Sequence, residues 1–214
     1  NSFGDCIPAL AAGNAVLLKP SEVTPLTSLL MAEMLRECGL PEDVYQVLPG
    51  YGETGAAMID KVDFVMFTGS TATGRYVGAR AGENLIDCTL ELGGKNPLIV
   101  LEDANLDETV AGAAFGTFLN AGQACMHIER IYVPEELAEQ FTRRFVIEAQ
   151  KLALGSTYDF TPQMGALIST QHLERVSSHV EDARDKGAEV LTGGRARPDL
   201  GPTFYEPTVL RGVT

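Results

Sequence analysis

Short apolar runs alternate along this chain with longer stretches in which apolar residues recur every three or four positions. The first run predicts a buried strand at residues 16–18, after a Gly13-Asn14 turn flanked on its other side by apolar residues 9–12. That strand delivers Lys19-Pro20-Ser21-Glu22 at its carboxyl end, the end of a parallel strand where α/β ligands bind. Thr24 reads as an N-cap and Pro25 as the first helical residue. Leu26, Leu29, Leu30 and Met34 then recur at helical spacing until Gly39 supplies the stop. A second strand at 44–48 runs into Gly50-Tyr51-Gly52-Glu53-Thr54-Gly55 ahead of a small-residue helix, and a third at 64–67 leads through Thr68-Gly69-Ser70-Thr71-Ala72-Thr73-Gly74 into another helix. In a fourth, at 86–92, Cys88, Leu90 and Leu92 face one way and Asp87, Thr89 and Glu91 the other. A strand at 98–101, an Ala- and Gly-rich helix at 106–119 and a strand at 130–133 follow. Charged helices at 134–154 and 169–186 and short strands near Val190 and Val209 complete the pattern. Strands alternating with helices throughout predict a mostly parallel α/β architecture.

Composition narrows the function classes. The 214 residues are 45% apolar, which suits a globular chain with room for one large domain or two small ones. A formal net charge of -13 and the lack of any basic cluster argue against a nucleic-acid or anionic-membrane partner. Cys6, Cys38, Cys88 and Cys125 lie far apart with no C-x-x-C spacing. They read as reduced thiols of a cytoplasmic protein, not as a disulfide frame or a metal site. No apolar run approaches a membrane span, and no signal peptide is visible. The start at Asn1 and the stop shortly after the strand-like residues 205–210 read as those of an internal segment of a longer protein.

Candidate chemistry gathers at two places. Leu90-Glu91-Leu92-Gly93-Gly94-Lys95-Asn96-Pro97 puts an acid at a strand end beside two glycines that let backbone approach closely. Downstream, Cys125 follows Gly122-Gln123-Ala124. A thiol to attack and a carboxylate to activate water are what covalent acyl transfer needs. The plainer alternatives are that Glu91 is an ordinary strand-end carboxylate and that Cys125 is a buried structural thiol like Cys6 or Cys38. Cys88, on the apolar face of its strand, reads as core. A Cys125–His127 dyad is disfavoured because side chains two positions apart diverge, and His172 and His179 fall on a charged, solvated helix as inert residues. Of the glycine loops, residues 50–55 match G-x-G-x-x-G, but no acid closes a strand about twenty residues later as the dinucleotide pattern wants. The loop at 68–74 offers backbone N–H groups and hydroxyls to an anion. Tight strand–helix packing explains Gly69 and Gly74 equally well.

Lys19-Pro20-Ser21-Glu22, Phe67-Thr68-Gly69-Ser70-Thr71, Leu90-Glu91-Leu92-Gly93-Gly94-Lys95 and Gly122-Gln123-Ala124-Cys125 stand in the order and spacing of the NAD(P)-dependent aldehyde dehydrogenase superfamily. The resemblance runs over essentially the whole chain, and the first 33 residues look most like the succinate-semialdehyde dehydrogenase branch. It implies parts of a Rossmann-type cofactor domain, residues 1–93, and of an α/β catalytic domain, residues 94–214. It also implies roles. Cys125 matches the nucleophile that forms a thiohemiacetal and then a thioester, and Glu91 the base that activates water. Lys19 and Glu22 match residues holding the adenosine ribose hydroxyls, with Ser21 beside them. Gly69 and Ser70 match pyrophosphate contacts, Gly52 and Gly55 line the adenine side, and Leu92 and Gly93 lie beside the nicotinamide.

The cofactor so implied is NAD, with NADP as the variant, the substrate is a small aldehyde, and the full-length protein is expected to be a homo-oligomer. The family's oxyanion-hole asparagine motif and its Glu-Ile-Phe-Gly-Pro motif are not in this stretch, so the segment alone is expected to be inactive. A catalytically silent nucleotide-binding or oligomer-forming module of the same fold is the alternative. A CoA-acylating enzyme, which needs no water-activating glutamate, fits less well.

Overall fold

In the computed structural model, which describes residues 3–159 and 161–213, strands begin where aliphatic residues run together and most long helices begin at a side-chain cap. The chain divides into two compact units, Asn1–Gly93 and Gly94–Thr214.

The first unit runs α1 (Cys6–Ala11), β1 (Val16–Leu18), α2 (Leu26–Glu37), β2 (Tyr45–Val47), α3 (Gly52–Ile59), β3 (Phe64–Gly69), α4 (Thr71–Glu83) and β4 (Asp87–Leu92). β1 pairs in parallel with β2, Val16 opposite Tyr45, and β3 in parallel with β4, with Thr68 opposite Glu91 and Gly69 opposite Leu92. Cys6, Met31 and Tyr45 form a small core, joined by Leu10, Val16, Leu18, Leu35 and Val47.

Helix α2 departs from the sequence pattern in two ways. Pro25, not Thr24, sits at the cap, where its carbonyl accepts from the Ser28 and Leu29 N–H groups at 3.1 Å each, while the Thr24 N–H donates to the Ser21 carbonyl in a preceding turn. The helix also buries the face carrying Ser28 and Met31 and leaves Leu26, Leu29, Leu30 and Met34 exposed. Gly39, at φ +93°, ends it as expected.

Helix α4 lies close on its strands. A Cβ on Gly74 would stand 2.5 Å from Leu92 Cδ2, and one on Gly78 3.3 Å from Leu90 Cδ1. Leu90 and Leu92 therefore do face the helix, and close packing is what Gly74 locally provides. At the far end Arg80 bonds Asp60 and Glu83, both at 2.8 Å, and Asn84 bonds Asp60 at 2.9 Å. The Arg80 hydrogen bond, then that of Asn84, holds the Asp60 carboxyl below its ordinary range.

The second unit contains β5 (Pro97–Ile99), α5 (Leu106–Phe118), a 3-10 turn (Leu119–Gly122), β6 (Arg130–Tyr132), α6 (Glu135–Lys151), α7 (Thr170–Asp185), β7 (Glu189–Thr192) and β8 (Val209–Arg211). β5 and β6 are parallel, and β7 and β8 antiparallel with an irregularity between Val190 and Thr192. Asn105 Oδ1 caps α5 by accepting from Asp107 and Glu108, and Ser169 Oγ caps α7 by accepting from His172.

The small residues of α5 pack against α6. Val110, Ala113, Ala114 and Phe118 meet Phe141, Phe145 and Ala149 in the main core, with Phe145 stacked on both Phe118 and Phe141. Leu167, Val180 and Tyr205 form a second cluster. His172 is half-buried and not freely solvated. Burial, then Arg175 and His179, lowers its pKa. The mostly parallel α/β reading stands.

Candidate active site

The loop between α5 and β6 is where the chain leaves ordinary backbone. Asn120 (φ 52°, ψ 35°) and Ala121 (φ 56°, ψ 34°) are left-handed, and Gly122 follows at φ +73°. Left-handed geometry is tolerable for Asn and costly for Ala, on the order of 1–3 kcal/mol, and persists only where surroundings enforce it. The enforcement here comes from an amide. Gln123 Nε2 donates to the carbonyls of Asn120 (3.1 Å) and Ala166 (3.2 Å), and its Oε1 accepts from the Ile168 N–H at 2.8 Å. Asn120 Nδ2 returns a bond to the Gln123 carbonyl at 3.0 Å.

A tight turn follows, closed by the His127 N–H on the Ala124 carbonyl at 3.1 Å. It places Cys125 and Met126 at its tip, Cys125 as an exposed free thiol and Met126 74% exposed. Cys125 is thus no buried structural thiol. Of the cysteines offered as examples of one, Cys6 is buried and Cys38 is exposed. Burial, then Asp5, raises the Cys6 thiol pKa. The ring nitrogens of His127 both face acceptors, Nδ1 the Ala124 carbonyl at 2.6 Å and Nε2 a Glu129 carboxylate oxygen at 3.1 Å. Those partners occupy the ring in place of a dyad with Cys125. Lys95 completes the group by pairing with Glu129.

The residue absent from the sequence-derived site is Asn96. Its Nδ2 donates to the carbonyls of Cys125 (2.7 Å) and His127 (2.9 Å), and its own carbonyl accepts from the Glu129 and Arg130 N–H groups. The sequence signal was its place in the Gly93-Gly94-Lys95-Asn96-Pro97 run, but nothing local showed that its side chain reaches 29 residues forward.

In the first unit the candidate cofactor residues fall into two groups. Lys19 Nζ donates to the carbonyls of Pro20 (2.6 Å) and Gly50 (3.1 Å) and stands 3.7 Å from Glu22 Oε2. Gly55 lies against the same lysine, since a Cβ there would stand 3.4 Å from Lys19 Cδ. Gly52 opens α3 with no neighbour in the space a Cβ would fill. Ser21 Oγ accepts from the Val23 N–H at 3.3 Å.

The other group is at the end of β3. Gly69 is exposed, and Ser70 Oγ caps α4 by accepting from the Thr73 N–H at 3.2 Å. Glu91 sits exposed on β4 opposite Thr68, with Leu92 and Gly93 after it. Among the described residues no cluster of His, Cys, Asp and Glu could hold a metal ion, and no helix is long and apolar enough to cross a membrane.

These observations meet one family. A model described as the aldehyde dehydrogenase family matches residues 2–214. The chain belongs to that family. A Mycolicibacterium smegmatis protein provisionally named succinate-semialdehyde dehydrogenase [NADP(+)] is 52% identical over 214 residues, covering 100% of this chain and 41% of its own length. Betaine aldehyde dehydrogenase of Brucella ovis is 42% identical, over 97% of this chain and 44% of its own. The solved Mycobacterium tuberculosis aldehyde dehydrogenase complexed with NAD+ superposes with a TM-score of 0.94 at 39% identity, over 100% of this chain and 45% of that one. The chain therefore spans about two-fifths of the length of the curated relatives it matches.

Proposed function

We propose that this chain carries the cofactor-binding and thiol-nucleophile segments of an enzyme that oxidises an aldehyde to a carboxylic acid with NAD(P)+, residues 1–93 serving the cofactor and supplying Glu91, and 94–214 supplying the nucleophile. The observation that carries the reading is Cys125, an exposed thiol at the tip of a turn whose backbone is fixed by two amide side chains and preceded by three left-handed residues. A structural cysteine has no need of such support.

The residues present suit a dinucleotide. Glu22 offers acceptors and Lys19 a cation to ribose hydroxyls, with Ser21 next to them. The first-turn N–H groups of a helix lack intrahelical acceptors, and at α4 they follow the exposed Gly69, with the Ser70 hydroxyl at the cap. Gly52 leaves the start of α3 open for the adenine side, with Gly55 of the same helix against Lys19, and Leu92 and Gly93 would flank the nicotinamide. When bound, NAD(P)+ supplies a two-electron acceptor for hydride from the substrate carbon.

Cys125 acts first: its sulfur, as thiolate, adds to the aldehyde carbon and gives a thiohemiacetal, whose oxyanion the Cys125 N–H helps to stabilise. Once that carbon is oxidised, the acyl group remains on Cys125 as a thioester. Glu91 takes a proton from water, the resulting hydroxide adds to the acyl carbon, and the thiolate leaves with the acid released. The name carried by the Mycolicibacterium relative supports succinate semialdehyde as the substrate to try first and NADP as a competitor to NAD. Glu22 favours NAD.

The test is Glu91→Gln in the complete protein. A burst of NADH near one equivalent followed by turnover at least about a hundredfold slower is expected. An unchanged steady-state rate assigns the water to another group.

A further inference from the structure

The loop bearing Cys125 has little regular structure of its own. It leaves α5 through three left-handed residues and joins no ladder until Arg130. Backbone groups in such a stretch must find partners elsewhere. Asn96 supplies four of them: its carboxamide N–H groups reach the Cys125 and His127 carbonyls at 2.7 and 2.9 Å, and its carbonyl takes the Glu129 and Arg130 N–H groups at 3.0 and 3.1 Å. Asn96 is itself anchored, because the next residue, Pro97, opens β5 opposite Arg130.

The geometry points to Asn96 as the positioning residue of Cys125: its side-chain amide fixes the Cys125 carbonyl at the turn tip and the His127 carbonyl just after it, and so the direction in which the thiol leaves the backbone. This rests on the reading of Cys125 as the nucleophile. The Cys125 carbonyl carbon is bonded to the Cα that bears the thiol, so releasing it lets that peptide plane turn and carries Sγ with it. Lys95, Glu129 and His127 brace the same loop, and the His127 ring holds the Ala124 carbonyl on the peptide before Cys125, but none of their side chains bonds the Cys125 carbonyl on the peptide after it. Attack on an aldehyde demands a fixed approach, and a misplacement of about 1 Å can cost on the order of a hundredfold in rate.

The experiment uses Asn96→Asp and Asn96→His in the complete protein. Asp keeps the shape and the backbone bonds but offers acceptors where two N–H donors stood. His returns one N–H at the same distance from the backbone. Three quantities are read: the rate constant and the amplitude of the NADH burst, and peptide-resolved alkylation of Cys125 without cofactor or aldehyde. Expected for Asn96→Asp is a burst rate constant roughly ten- to a hundredfold lower, with the amplitude per folded protein retained and Cys125 still labelled. Asn96→His should fall between Asp and the parent, and it decides the question if Asp does not fold. A lower amplitude per total protein at an unchanged rate constant would mean that Asn96 only supports folding, and overturns the inference. Cys125→Ser separates the two readings. A burst that survives it removes the nucleophile assignment, and the inference with it. A burst abolished by Cys125→Ser but of parental rate in both Asn96 variants overturns the positioning role alone.

Discussion

Exchanging Glu22 for Gln removes one negative charge from the loop after β1 while keeping the side chain's shape. Lys19 has three N–H donors. Two are engaged by the Pro20 and Gly50 carbonyls, and Glu22 Oε2 stands 3.7 Å away as the remaining partner. A 2′-phosphate on a ribose held here would be drawn by Lys19 and repelled by Glu22. At about 4 Å one charge pair is worth about 1 kcal/mol in bulk water and about 4 kcal/mol at an effective dielectric of 20. Glu22 is 48% exposed, which places the pair toward the watery limit, about 1–2 kcal/mol. Removing the repulsion and freeing a lysine donor should therefore lower the ratio of kcat/KM for NAD over NADP by about five- to thirtyfold. The assay is that ratio for the complete protein and for Glu22→Gln, at low and at high salt, with a smaller change at high salt because screening reaches exposed charges. A ratio that stays put or rises on mutation refutes the reasoning, as does a preference for NADP before any mutation.

Two further perturbations probe the frame. Phe145 is buried and stacked between Phe118 and Phe141 at 5.9 and 5.6 Å, so Phe145→Ala should cost about 3–5 kcal/mol in the denaturant transition reporting on residues 94–214, and a loss below about 1 kcal/mol would contradict the packing. Burial, then the neighbouring Cys6, pushes the Tyr45 phenol up to about 12. An unfolded tyrosine ionises near 10, so the contribution of Tyr45 to stability is whole below about pH 10 and is lost as pH rises toward 12. Tyrosinate absorbance in the parent and in Tyr45→Phe should differ by one late-titrating group, and a difference centred near 10 would contradict that burial.

Where signals were local, the sequence was readable. Gly39 stops α2 because stop chemistry depends on a few neighbouring atoms, and the facing of Leu90 and Leu92 followed from strand alternation. Thr24 misled because the turn from Ser21 to Thr24 moves the cap one residue on, to Pro25. The apolar spacing of α2 named a stripe but not the side that its unit covers. Gly69 and Gly74 looked alike in sequence, and both prove closely packed, Gly69 against the Phe67 ring of its own strand and Gly74 against Leu92 of the next. Cys125 and Glu91 could be picked out by residue type and context. The support of Cys125 could not, since Ala121 carries no turn signal for its left-handed backbone and the long-range partners of the Asn96 and Gln123 side chains lie 29 to 45 residues away.

The central claim is that the substrate's acyl group passes through Cys125. It is tested most directly by mixing the complete Glu91→Gln protein with NAD and succinate semialdehyde, quenching with acid within one turnover, and locating the added mass by peptide mass spectrometry. The account predicts the acyl mass on the peptide containing Cys125, in step with the NADH formed. NADH without any adduct, or the acyl mass on the Cys6, Cys38 or Cys88 peptide, would contradict it.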